Sequence, residues 1–350
     1  MGDWVIGRLL IVRLSALGDI VHAVPVVSAL RRLDPRLRID WLVEERYADV
    51  LALVDDVRRV IVRAAEGGGD GPDARFTGGA GYLRAVRYLR RQRYDVALDL
   101  QGLIKSAVWA RVSGARRVIG FAAGHLREPQ AAWLYGETVE PPAPAHVIRK
   151  NLSLAARLGA AVEPVELPLR VGSSPVRHEV TAAIGPARYA VLNPGAAWPN
   201  KRWPADRFGA VATALLHRHG LASFVTWGPD ERGLAEAVVA ASSGAARLAP
   251  PTGIADLASL MAGAALVVSG DTGPLHIAAA VGTPIVGLYG PTWPERNGPW
   301  AAADEVLSRA AACQCHHKRQ CQIGRPCIED IAVDEVIAAV DRRLAREPRS

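Results

Sequence analysis

The segment Ser269-Gly-Asp-Thr-Gly-Pro-Leu-His276 follows an apolar run and sets Pro274 in the opening turn of a helix. Backbone N–H groups at such a helix start can hold a diphosphate, with Gly273 allowing close approach and the Thr272 hydroxyl beside them. An ordinary strand-to-helix turn has the same composition, and His276 suits either a packed helix histidine or a catalytic one. A second stretch, Asn193-Pro-Gly-Ala-Ala-Trp-Pro-Asn-Lys-Arg-Trp-Pro204, holds Lys201, one of only four lysines against 38 arginines. Its ammonium either neutralises a departing phosphate or is simply solvated. Glu231, ending Trp227-Gly-Pro-Asp-Glu231, stands where acidic residues of dinucleotide folds meet ribose hydroxyls, and equally where an acid favours a helix start.

In the first half, Leu14-Ser-Ala-Leu-Gly-Asp19 closes a strand, so Asp19 is either a general base for an incoming hydroxyl or a helix N-cap. Asp99-Leu-Gln-Gly-Leu-Ile-Lys-Ser106 brings Gln101 and Lys105 to the end of another strand. Arg84, Arg87 and Arg91 share one helix face by their spacing, a face for anionic headgroups or substrate phosphates, or for water alone. Cys313, Cys315, Cys321 and Cys327 lie together with His316 and His317 among them. Their spacing departs from the paired knuckles of structural zinc, so reduced thiols are expected ahead of a zinc site, and a disulfide last.

The missing motifs narrow the chemistry. No Gly-x-Gly-x-x-Gly follows the first strand and no Walker sequence occurs, which disfavours hydride transfer and ATP hydrolysis; His-Glu-x-x-His and Gly-x-Ser-x-Gly are absent too. The net charge is +7, and residues 1–180 carry 26 basic against 20 acidic side chains while 181–350 carry 16 against 15. That asymmetry points to an anionic partner for the first half, though without a recognisable nucleic-acid module. The longest apolar runs stop short of the roughly 18–20 residues that a bilayer span needs, and the N-terminal run lacks a signal-peptide cleavage site. A cytoplasmic protein is expected.

Strands over 8–13, 39–43, 57–62 and 95–100 alternate with helical patterns such as 82–92, as in a parallel sheet covered on both faces. The Gly-rich stretches 66–72 and 77–81 read as a mobile surface loop. Proline density over 141–144 and 164–175 puts a domain boundary near 165–178. The rhythm then restarts, with strands over 189–192, 223–226, 266–269 and 284–288 and helices over 205–217, 231–242, 254–263 and 274–281. A terminal helix over 330–346 is apolar at Ile331, Val333, Val336, Ile337 and Val340. Two open sheets imply a cleft, with the chemistry in the loops beyond the carboxyl ends of the strands.

Taken in order, Leu-Gly-Asp-Ile-Val-His22, Trp-Leu-Val-Glu-Glu45, Asp-Leu-Gln-Gly-Leu-Ile-Lys-Ser106, Arg127-Glu-Pro129, Lys201-Arg-Trp-Pro204, Trp-Gly-Pro-Asp-Glu231, Ser-Gly-Asp-Thr-Gly-Pro-Leu-His276 and Leu-Tyr-Gly-Pro-Thr292 resemble the ADP-heptose:lipopolysaccharide heptosyltransferases of glycosyltransferase family 9. The second, third and fourth stretches look most like heptosyltransferase I. The resemblance implies an α/β GT-B architecture: a Rossmann-like acceptor-binding domain over 1–170, a Rossmann-like ADP-sugar-binding domain over 171–328, and a helix over 329–350 crossing back to the first. It implies inverting transfer of heptose from ADP-heptose to Kdo of lipid A, with Asp19 as base and Lys201 as charge partner of the leaving ADP. Thr272 and Gly273 would hold phosphates, Asp271 the heptose, Glu231 the ribose, and His276 would support the donor. Gln101, Lys105, Arg127, Arg84 and Arg87 fall to the acceptor, at the cytoplasmic face of the inner membrane. No metal or cofactor is required, with magnesium at most a stimulant. Ala196-Ala197 replaces hydroxyl residues common in the family, and the cysteine-rich segment is typical of the broader family. Heptosyltransferase II or another family 9 transferase is the alternative, and a non-catalytic nucleotide binder the outsider.

Overall fold

A computed structural model describes residues 6–62, 74–76, 78–143, 145–185, 187–316 and 318–346. The expected loop at 66–72, His317 and the last four residues fall outside that set. The chain divides into two compact units, Met1–Arg170 and Val171–Ser350.

The first unit contains β1 (Arg8–Val12), α1 (Leu17–Val21), α2 (Val24–Leu33), β2 (Arg38–Glu44), β3 (Val57–Val62), β4 (Ala74–Phe76), α3 (Gly78–Gln92), β5 (Val96–Asp99), α4 (Ile104–Val112), β6 (Arg117–Phe121), β7 (Glu137–Val139) and α5 (Val147–Ala156). Its seven strands run in the order β4-β3-β2-β1-β5-β6-β7, and every pairing is parallel. β1 and β5 lie at the centre, so Leu9–Val12 and Val96–Leu98 are wholly buried and read as unbroken apolar runs. β4, β6 and β7 escape the sequence reading, being short or interrupted by glycine and charge. α3 starts at Gly78, inside the stretch expected to be loop.

The second unit contains α6 (Pro175–Ile184), β8 (Tyr189–Asn193), α7 (Ala205–His219), β9 (Ala222–Val225), α8 (Arg232–Ala240), β10 (Ala246–Leu248), α9 (Ile254–Ala262), β11 (Leu266–Gly270), α10 (Gly273–Ala280), β12 (Ile285–Tyr289), α11 (Pro294–Asn297), β13 (Glu305–Ser308) and α12 (Val333–Ala345). Its six strands are again all parallel, in the order β10-β9-β8-β11-β12-β13. α7 ends at Gly220, whose φ of 66° gives the left-handed turn a helix C-terminus favours.

The terminal helix packs within the second unit: Val336, Ala339 and Val340 of α12 are buried with Val211, Leu215 and Leu288 in its core. The approach to α12 is pinned there as well, since the Trp203 indole N–H and the Arg207 guanidinium both donate to the Ile331 carbonyl, at 3.0 and 2.9 Å. Arg343 donates to Asp304 at 2.9 Å with both side chains almost covered. The helix that the apolar periodicity announces is real; periodicity does not say which sheet receives it.

Candidate active site

Strand order reverses in each sheet at one place, between β1 and β5 in the first and between β8 and β11 in the second. Ligands of open α/β sheets sit beyond the carboxyl ends of the strands at such points, because the connecting helices leave in opposite directions and part there.

At the second switch point, Asn193 ends β8 and its amide donates to Thr272 Oγ1 at 3.2 Å and Ser269 Oγ at 3.1 Å, while Thr226 at the end of β9 donates to Asn193 Oδ1 at 3.1 Å. Three strand ends are thereby fixed in register. Thr272 is the N-cap of α10 and Pro274 lies in its first turn, where a missing N–H costs nothing. Asp271 is 4% exposed. Its Oδ2 accepts from Lys201 Nζ at 2.5 Å and Thr292 Oγ1 at 2.7 Å; its Oδ1 accepts from Asn297 Nδ2 at 2.7 Å and lies 3.2 Å from His276 Nε2. Burial alone pushes this carboxyl up, but the His276 hydrogen bond and the Lys201 charge more than reverse that and hold it well below the usual carboxylate range. Lys201, in the loop between β8 and α7, also lies 4.9 Å over the Trp198 ring.

Glu231 adjoins the same group of loops. Its Oε2 accepts from the Gly228 N–H at 3.2 Å and its Oε1 lies 3.6 Å from Arg202. A Cβ on Gly195 would stand 2.1 Å from Glu231 Oε2, so only glycine lets this carboxylate lie against the loop after β8.

At the first switch point, Arg13 ends the β1 segment almost buried, donating to the Leu100 carbonyl at 2.5 Å and pairing with Asp19 Oδ2 at 2.7 Å. The Asp19 side chain is 38% exposed, oriented by Arg13 while open on its other side. Its Oδ2 also lies 3.5 Å from the Ala16 N–H, so the helix-start reading holds weakly alongside the base reading. Gln101 Oε1 accepts from the Leu14 N–H at 2.8 Å, tying the loop after β5 to the loop after β1. Behind both, Asp99 is fully buried and accepts from the Gln101 and Gly102 N–H groups, Ser106 and Tyr135. Burial raises its pKa against the pull of those four donors.

The structure thus brings Lys201, Asp271, Thr272, Gly273 and His276 together with Glu231 nearby in the second unit, and holds Asp19 and Gln101 at the matching point of the first. Lys105 is engaged by Glu44 at 2.6 Å, and Arg84, Arg87 and Arg127 are exposed. Sequence reasoning missed Arg13, Asp99, Tyr135, Asn193, Thr292 and Asn297. The strand-end positions of Arg13, Asp99 and Asn193 were a signal; Tyr135 and Asn297 carried none. Of the cysteines, all free, Cys315 and Cys321 have sulfurs 3.7 Å apart, and burial, with the Cys313 hydrogen bond, pushes the Cys327 thiol up to about 12. Among the described residues no three His, Cys, Asp or Glu side chains form a metal-ligand set.

Two open parallel sheets, each with its polar side chains gathered at its switch point, make up the GT-B fold. The chain belongs to glycosyltransferase family 9, the heptosyltransferases, whose family model matches residues 82–325. It is 32% identical to lipopolysaccharide heptosyltransferase 1 of Pseudomonas aeruginosa over 90% of this chain and 87% of that one. To the Escherichia coli protein of the same name it is 28% identical over 87% of this chain and 93% of that one. Among solved structures, E. coli heptosyltransferase WaaC with ADP-2-deoxy-2-fluoro heptose superposes with a TM-score of 0.71 at 25% identity, covering 95% of this chain and 99% of that one.

Proposed function

We propose that this protein transfers L-glycero-D-manno-heptose from ADP-heptose to Kdo of the lipid A inner core, inverting the anomeric centre. The observation that carries the reading is the Lys201–Asp271 pair beside the start of α10 at the second switch point, in a chain similar over nine-tenths of its length to a heptosyltransferase 1. An acceptor hydroxyl gives its proton to Asp19 as its oxygen attacks the anomeric carbon, and the bond to the diphosphate breaks with its electron pair going to ADP. Lys201 and the N–H groups at the start of α10 stabilise that charge. One base suffices, and no covalent intermediate or metal is required. Thr272 and Gly273 serve the phosphates and Glu231 the ribose, while His276 supports the donor through Asp271.

The geometry favours a different part for Asp271 than sugar binding. Both its oxygens are already satisfied and it is almost wholly covered, so it acts by holding Lys201 in place. On the acceptor side, Gln101, Lys105, Arg127, Arg84 and Arg87 are the candidates, Lys105 by exchanging Glu44 for a substrate anion. Among the described residues no helix is long and apolar enough to cross a membrane. The lipid-linked acceptor therefore calls for peripheral association with the cytoplasmic leaflet.

The test is ADP release from purified protein given ADP-heptose with either Kdo-lipid A or its heptosylated form, the product linkage being read by mass spectrometry and NMR. Turnover on Kdo-lipid A is expected. Turnover on the heptosylated acceptor alone moves the assignment to heptosyltransferase II, and donor binding without turnover on either points to another acceptor.

A further inference from the structure

Nine large apolar side chains are exposed among the described residues, and five of them, Tyr82, Leu83, Ile104, Val108 and Trp133, belong to one region of the first unit. α3 packs on α4, and α4 packs on the turn Pro129–Leu134 that carries Trp133. The Tyr82 ring lies 5.7 Å from that of Trp109, and Ile104 and Val108 share a face of α4 at i and i+4. Trp133 is 84% and Leu83 65% exposed, and apolar side chains exposed together in one region, unlike singly scattered ones, mark an interaction surface.

The charge around these residues has one sign. Residues 78–112 carry Arg84, Arg87, Arg90, Arg91, Arg93, Lys105 and Arg111 against two acids. Asp99 is buried, and Asp95 accepts from the Gly7 and Arg8 N–H groups at the opposite end of β5. The turn Pro129–Leu134 contains no acid; Glu128 just before it accepts from the Ile104 N–H at 2.7 Å, and Glu44 is taken by Lys105.

We propose that the outward faces of α3, α4 and the turn Pro129–Leu134 form a docking surface for an anionic phospholipid bilayer. Trp133, Leu83, Ile104 and Val108 enter the headgroup boundary and the arginines meet lipid phosphates. Aromatic rings beside cations on long stems suit that boundary, where one end is wet and the other apolar. A second copy is a poor occupant, because a two-fold interface sets the same patch against itself and would face arginine with arginine. The proposal rests on the reading of a lipid-linked acceptor and adds where the protein touches the membrane.

The experiment is flotation of the full-length protein with phosphatidylcholine vesicles, with and without phosphatidylglycerol, for wild type, Leu83→Ser, Trp133→Ser and, as a control, Leu216→Ser at an exposed leucine of the second unit. Thermal melts and transfer to a delipidated acceptor sugar confirm that each variant is folded and active. Expected is binding that requires phosphatidylglycerol, falls with salt, weakens roughly tenfold in each of the first two variants and is unchanged in the control. Binding that survives both substitutions overturns the surface and leaves peripheral association standing. No binding by wild type overturns both. Sedimentation that finds a wild-type dimer dissociated by Trp133→Ser assigns the patch to a second copy instead, and overturns the membrane.

Discussion

Two buried aspartates in this protein respond to pH in opposite ways. Asp271 is held below the ordinary carboxylate range in the folded state, so its contribution to stability is fully present above the unfolded pKa of about 4 and is lost as pH falls towards the folded value. The difference in unfolding free energy between wild type and Asp271→Asn, measured in urea, should be flat from neutral pH to about 5 and close below about 4. Asp99 is raised by burial, so it disfavours the folded state increasingly as pH rises above the unfolded value, and Asp99→Asn should be best tolerated at neutral pH. Lys201→Met strands the Asp271 charge, at the lower end of the roughly 3–5 kcal/mol seen for broken buried pairs, since His276, Thr292 and Asn297 still reach it. At the first switch point, Asp19→Asn should cost about 10²- to 10⁴-fold in kcat while ADP-heptose binding by calorimetry stays near wild type. Retained turnover would remove Asp19 as the base. Arg13 acts through Asp19 as a positioning residue, so Arg13→Met should lower kcat more than it raises KM, and Arg13→Lys should recover part of the loss.

Elements decide how far a sequence can be read. Central strands such as β1, β5, β8 and β11 are buried on both faces, so their unbroken apolar runs announce them, and the loops after them draw attention to Asp19, Gln101, Lys201 and Asp271. The edge strands β4, β7 and β10 have three residues each, too few for a pattern, and were passed over. Residues that act through contact rather than position were hidden for another reason. Asn297 reaches Asp271 from α11, and Tyr135 reaches Asp99 across 36 residues, partners that only tertiary packing selects. The amphipathic pattern of α12 likewise fixed a helix but left its partner open. Its place is testable: Val336→Asp puts a charge into the core shared with α7 and β12, so amide exchange by mass spectrometry should show protection lost over α7, β12 and β13, with first-unit peptides unchanged. Loss confined to first-unit peptides would return the helix to that domain. Gly195 offers a gentler probe of the loop after β8, because Gly195→Ala must push Glu231 aside. A several-fold rise in KM for ADP-heptose with little change in kcat is expected, as when an interaction made equally in ground and transition states is removed.

For the molecule as a whole, the two units divide the work by charge as well as by fold. The first holds most of the basic excess together with Asp19, and the second is nearly neutral apart from the cations beside its switch point. A nucleotide diphosphate should therefore depend on a few fixed groups of the second unit rather than on long-range attraction. ADP binding should weaken only modestly with salt, since buried or partly buried pairs are screened far less than exposed ones. Acceptor and vesicle binding, drawn by exposed arginines, should fall steeply over the same salt range. Ligand linkage gives a second readout: at about 100 times its Kd, ADP should add about 2.7 kcal/mol to the stability of the state that binds it. If the site lies where these loops meet, the exchange protection that ADP confers will map to residues 193–204, 226–231 and 269–276, and Lys201→Met will reduce it. Protection appearing instead over 13–19 and 99–106 would put the nucleotide on the first unit and exchange the donor and acceptor assignments.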